Sequence, residues 1–142
     1  MKAIPDNFSI HSFMDAIVSQ DAKKLREFFE PDAQIFWANT NEQFTAEEYV
    51  RANCEYPGAW HGHLEEFGEI VPFDPHEPKM YYVAKIWDND GNASRVVGRI
   101  DFGNTEKALI QYLTEYWSEI GEPPEWRKEM NIGRRYCDEG VV

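Results

Sequence analysis

Apolar positions near the start of the chain recur at helical spacing. Ile10, Phe13, Met14, Ile17 and Val18 form one stripe, with Asp6 or Ser9 placed to cap it. Asp21 offers a second cap ahead of Leu25, Phe28 and Phe29, and Pro31 is placed to stop that helix. The pattern predicts a helical hairpin. Residues 33–40, AQIFWANT, are rich in large side chains and read as a short strand. Thr45 and Glu48 then have the spacing of a capping box, with Phe44 and Tyr49 in the positions of a hydrophobic staple. Pro57-Gly58 ends this third helix.

From Trp60 onward the period changes to two. Residues 60–71, 80–88, 94–103 and 108–119 read as four long strands rich in Val, Ile, Tyr, Phe and Trp. Asp90-Gly91 suits a two-residue hairpin turn between the second and third of these, and NTEK, residues 104–107, connects the third to the fourth. Between the first and second lies PFDPHEPK, whose three prolines make a loop. In the tail, EPPEWRKEMNIGRRY, two prolines can open a short helix and Gly133 can close it. Helices first and an antiparallel meander afterwards is the α+β pattern. No repeat or linker divides it, so residues 1–142 are expected to form a single domain.

Composition narrows the partners. The chain has 142 residues, enough for one sizeable core. Its 26 acids against 14 bases give a net charge of −12, a surface that repels phosphate backbones and anionic headgroups. Neither nucleic acid nor membrane is an expected partner. Aromatic residues make up 15% of the chain, an excess that needs a core, a pocket or a subunit interface. Cys54 and Cys137 have no zinc-site spacing, and the N-terminus lacks the apolar core of a signal peptide. A cytoplasmic protein with free thiols is the expectation.

The stretches DAKKLREFFEPDAQIFW, NEQFTAEEYVRANCEYPGAW and EYWSEIGEPPEWRKEMNIGRRY, together with the order of elements, resemble the nuclear transport factor 2-like superfamily, and within it the SnoaL-like branch. The resemblance implies a curved antiparallel sheet forming a cone closed by the N-terminal helices, a deep pocket, and homodimers packed through the outer sheet face. It implies no single activity, because such folds host isomerases, dehydratases, cyclases and epoxide hydrolases beside domains that only bind or assemble. Ketosteroid isomerase-like members need an aspartate base with a tyrosine and a protonated aspartate. By the resemblance Phe13, Trp37 and roughly Gly98 stand at those positions, so that reaction is not expected. Arg99 and Asp101 in GRIDF echo an epoxide hydrolase set. The alternation, however, puts the more apolar Val96, Gly98, Ile100 and Phe102 on the opposite face.

The remaining candidates follow from strand faces. In WHGHLEE, residues 60–66, His61, His63 and Glu65 share one face. They can be an exposed or interfacial set, the simplest reading. They can also be part of a metal site completed from elsewhere, by His76 or Asp101, or supply a general base partnered by Asp15. No metal or cofactor is expected. The expected pocket lining is Phe13, Ile17, Trp37, Tyr49, Trp60, Tyr82, Ile100, Phe102 and Tyr116, with a small, largely apolar ligand. Arg127 and Arg135 in the basic tail are candidates to fold over the pocket mouth and meet an acidic ligand. The alternatives are an enzyme using a pocket histidine with an aspartate, and a non-catalytic homodimeric adaptor whose interior is filled by its own side chains.

Overall fold

Capping and alternation account for most elements of the computed structural model, which describes residues 4–70, 78–103 and 106–136. Helix α1 runs Ile10–Val18, and the Ser9 side chain accepts from the Ser12 amide at its start. Helix α2, Ala22–Arg26, is capped by Asp21. It ends before the expected stop. Strand β1, Phe29–Trp37, begins where helix was expected, and Pro31 lies in it, within an irregular stretch between Phe29 and Gln34. There the missing N–H costs no ladder hydrogen bond. Strand β2, Glu42–Thr45, forms a hairpin with β1 that the sequence pattern does not announce.

Helix α3, Ala46–Cys54, carries the expected capping box in full. The Glu48 amide donates to Thr45 Oγ1 and the Thr45 amide to Glu48 Oε1, at 3.2 and 2.9 Å. Phe44 and Tyr49 each pack edgewise on Trp37, with ring centroids 4.7 and 6.1 Å away. Cys54 is a free thiol.

Strands β3 (Trp60–Ile70), β4 (Lys79–Asp88), β5 (Ala93–Asp101) and β6 (Ile110–Glu119) form the expected meander, and a short helix α4 follows at Glu125–Glu129. The single sheet has the order β2-β1-β6-β5-β4-β3. It is mixed rather than wholly antiparallel, because β1 runs parallel to β6, and it does not close on itself. The β4–β5 connection is longer than a two-residue turn. Asp88 instead caps a four-residue loop by accepting from the Asp90 and Asn92 amides and from Asn92 Nδ2. The expected loop PFDPHEPK lies largely outside the described residues, as do His76, Cys137 and part of NTEK.

Helices α1 and α3 cover one face of the sheet, α1 against β3 and α3 against β1. That inner face is apolar by alternation: Met80, Tyr82, Ala84 and Ile86 on β4, and Val96 and Ile100 on β5. Gly98 belongs to the same row for a steric reason. A Cβ there would lie 2.2 Å from ring carbons of Tyr82, so only glycine lets that ring lie across the strand. A register shift between Leu64 and Glu66 reverses the parity of β3 beyond it. Trp60, Gly62 and Leu64 face inward before the shift. No described helix is long and apolar enough to cross a membrane.

Candidate functional site

The inner row of β6 reads Leu113, Glu115, Trp117, and its middle member is a carboxyl group buried to 1% exposure. Such a group is costly unless its oxygens are satisfied. Here the Trp37 indole N–H donates to Glu115 Oε1 at 2.9 Å, and the Tyr82 hydroxyl donates to Oε2 at 2.7 Å. Gly98 makes the second bond possible by making room for the Tyr82 ring. Tyr49 Oη and Trp117 Nε1 also influence the carboxyl, yet neither makes a hydrogen bond of good geometry.

Burial pushes the Glu115 carboxyl above its ordinary range, and the neighbouring O–H and N–H groups of Tyr82, Trp37, Trp117 and Tyr49 only partly oppose this. The same burial, followed by the charge of Glu115, raises the Tyr49 and Tyr82 hydroxyls well above theirs. A neutral Glu115 has one proton to donate. Indoles are donors only, whereas a tyrosine hydroxyl can accept as well as donate.

Beside this network, between the helices and one end of the sheet, is a cavity of about 280 Å³. Ile17, Val18 and Gln20 wall it from α1 and the turn after it, and Ala52, Asn53 and Tyr56 from α3 and beyond. The sheet side consists of Trp37, Trp60, Ile86, Ser94 and Trp117. Asn39, Thr40, Glu42 and Glu119 complete the lining. Glu115 is not in the wall; its donor Trp37 and its neighbour Trp117 are. Two amides tie the helix ends together. Asn53 Nδ2 donates to the Ile17 carbonyl, and Gln20 Nε2 to the carbonyls of Asn53 and Tyr56.

Of the residues proposed as pocket lining, Ile17, Trp37 and Trp60 meet at this cavity. Phe13, Tyr49, Tyr82, Ile100 and Phe102 are fully buried in the adjoining core. Tyr116 lies on the outer face of β6, 48% exposed. His61 and His63 also face outward. His61 bonds Asn89 Oδ1 and stacks on Trp87, and His63 pairs with Lys85 across the ladder. Asp15 is on the exposed side of α1, so these three do not assemble around the cavity. Asp101 pairs with Lys79 at 3.2 Å, and Glu65 with Arg95. No group of three or more His, Cys, Asp or Glu able to hold a metal ion occurs among the described residues.

The basic tail does not cover the cavity. Arg127, Arg134 and Arg135 line a separate cleft of about 560 Å³ with Lys85 and Arg95, and Arg95 lies over the Tyr136 ring. Sequence reasoning missed Glu115 and Trp117 as site residues. Their signal was an acid sharing strand parity with Leu113 and Trp117, obscured because Tyr112 and Tyr116 give β6 an aromatic outer face as well.

No family sequence model matches the chain, and no curated protein matches it by sequence. Solved structures do match. A protein provisionally named a ketosteroid isomerase, from Kribbella flavida DSM 17836, is 21% identical over 90% of this chain and 87% of its own, with a TM-score of 0.63. A provisionally named SnoaL-like polyketide cyclase from Shewanella putrefaciens CN-32 is 13% identical over 75% of each chain, with a TM-score of 0.55. The Orange Carotenoid Protein of Anabaena (Nostoc) sp. PCC 7120, in a structure binding canthaxanthin, is 12% identical over 93% of this chain but 42% of its own, with a TM-score of 0.62. The fold is nuclear transport factor 2-like.

Proposed function

We propose that this nuclear transport factor 2-like chain is a small-molecule-binding protein, which takes a small, largely apolar ligand into the cavity between α1, α3 and the inner sheet face. The observation that carries the reading is the cavity of about 280 Å³ walled by Trp37, Trp60, Trp117, Ile17, Val18 and Ile86. A protein that used this fold only for assembly would gain stability by filling such a space. Carotenoid binding by a structural neighbour supports the reading by analogy. The test is a thermal-shift screen of small apolar molecules, since a ligand bound only by the folded state must raise the melting temperature. Ala52→Trp, which puts an indole into the cavity from α3, should abolish the response. A screen without stabilising compounds, with native mass spectra at the bare polypeptide mass, favours the adaptor reading.

A catalytic reading draws on one observation, the buried Glu115 behind Trp37 and Trp117. A carboxyl raised above its ordinary range by burial can serve as a general acid or base. On this reading Glu115→Gln keeps ligand-induced stabilisation and loses turnover. Homodimerisation through the outer sheet face is supported by the exposed Val97, Tyr112 and Tyr116 on β5 and β6. Val97→Lys with Tyr116→Lys should then give a monomer in light scattering; an unchanged mass would remove that interface.

A further inference from the structure

We propose that the ligand of this cavity is an organic cation, an amine or quaternary ammonium with a compact apolar body. The inference rests on the pocket reading above and adds the sign of the charge. Four aromatic side chains, Trp37, Tyr56, Trp60 and Trp117, line the cavity, and the charged residues beside them are Glu42 and Glu119. Among the described residues, no lysine, arginine or histidine shares the lining. The arginines of the tail face the separate outer cleft instead.

The orientation of the rings matters as much as their number. Trp37 spends its N–H on Glu115, and Trp60 spends its own on the Pro57 carbonyl at 3.0 Å. Their polar edges are thus committed to protein acceptors. Tyr56 and Trp60 meet edge to face at 5.5 Å. Aromatic faces carry negative potential and attract cations. The two carboxylates add Coulomb attraction, in a chain whose net charge of −12 already favours the approach of cations. A neutral ligand would gain only from burial, and an anion would meet the carboxylates without a counter-ion. At about 280 Å³, the space suits a compact ligand rather than an extended one.

A matched pair of probes isolates the charge. Choline and 3,3-dimethylbutan-1-ol have the same shape and differ by one positive charge, and tetramethylammonium supplies the cationic head alone. Isothermal titration at matched ionic strength should show choline binding about tenfold or more tighter than its neutral isostere. Glu42→Gln with Glu119→Gln, rim substitutions that keep shape, should bring choline down toward the isostere. Circular dichroism would confirm that this variant is folded. Equal affinity for the two isosteres overturns the charge assignment and leaves the pocket reading intact. Choline binding indifferent to both glutamines overturns it as well. So does the absence of choline and tetramethylammonium binding at millimolar concentration, and the broader apolar screen then decides the pocket reading separately.

Discussion

Replacing Glu115 tests the centre of the fold and the site together. In Glu115→Leu the half-buried Trp37 and the fully buried Tyr82, bonded at 2.9 and 2.7 Å, lose the acceptor of their donors. Each unmet donor costs about 1–3 kcal/mol, so the loss is roughly 2–6 kcal/mol. Burying a leucine returns about 1.5–3 kcal/mol of it. Glu115→Gln keeps a carbonyl for Trp37 and an amide that can donate to the tyrosine hydroxyls, and it cannot titrate. Burial holds the Glu115 carboxyl above its ordinary range, so the folded chain keeps this proton at pH values where the unfolded chain has released it. Stability from this group is fully present below the unfolded pKa and is lost as pH rises through the folded one. Urea unfolding of both proteins at closely spaced pH values should therefore show Glu115→Gln gaining on the wild type as pH rises, then holding a constant difference. Parallel curves would refute the reasoning. A difference of opposite slope would mean that the surrounding N–H and O–H groups outweigh burial and hold the carboxylate ionised.

Four further substitutions probe the support of the site. Gly98→Ala places a methyl group 2.2 Å from the Tyr82 ring and should cost about 1–3 kcal/mol or more in chemical denaturation; in a Tyr82→Ala background most of that cost should disappear. Thr45→Ala removes one half of the α3 capping box and should cost about 1 kcal/mol, measured by thermal unfolding. His61→Ala and His63→Ala should change neither the melting temperature nor the response to pocket ligands, because both side chains face outward. A lost ligand response in either variant would return the histidines to the site.

What the sequence disclosed was local. Ser9, Asp21 and the Thr45–Glu48 pair mark helix starts because capping is decided within four residues. The meander was legible because period two needs no partner to be seen. β2 was not, since EQFT is too short to display a period and is ordered by pairing with β1. Phe28, Phe29 and Pro31 read as a helix end, but the parallel pairing of Phe29 with Ile110 makes this stretch the start of a strand. Glu115 escaped notice for a deeper reason. A lone acid in a strand normally faces water, and what draws this one inward is the indole of Trp37, 78 residues away, with the hydroxyl of Tyr82, 33 residues away. Neither pairing leaves a trace in local spacing.

The same long-range bonds couple the cavity to the buried proton. Trp37 and Trp117 are wall residues and also part of the environment of Glu115. A ligand that drew the Trp37 indole N–H away from Glu115 onto itself would remove a donor from the carboxylate, which favours the neutral form. A cation seated against the same rings favours the ionised form. Ligands of the two kinds should therefore move protons in opposite directions on binding, uptake for the acceptor and release for the cation, at a pH where Glu115 is partly ionised. Calorimetry in two buffers of different ionisation enthalpy reads that direction from the difference in apparent heat. A heat independent of buffer for a bound cation, absent in Glu115→Gln as well, would mean that the indole wall insulates the carboxyl from the cavity, and that Glu115 serves the fold alone.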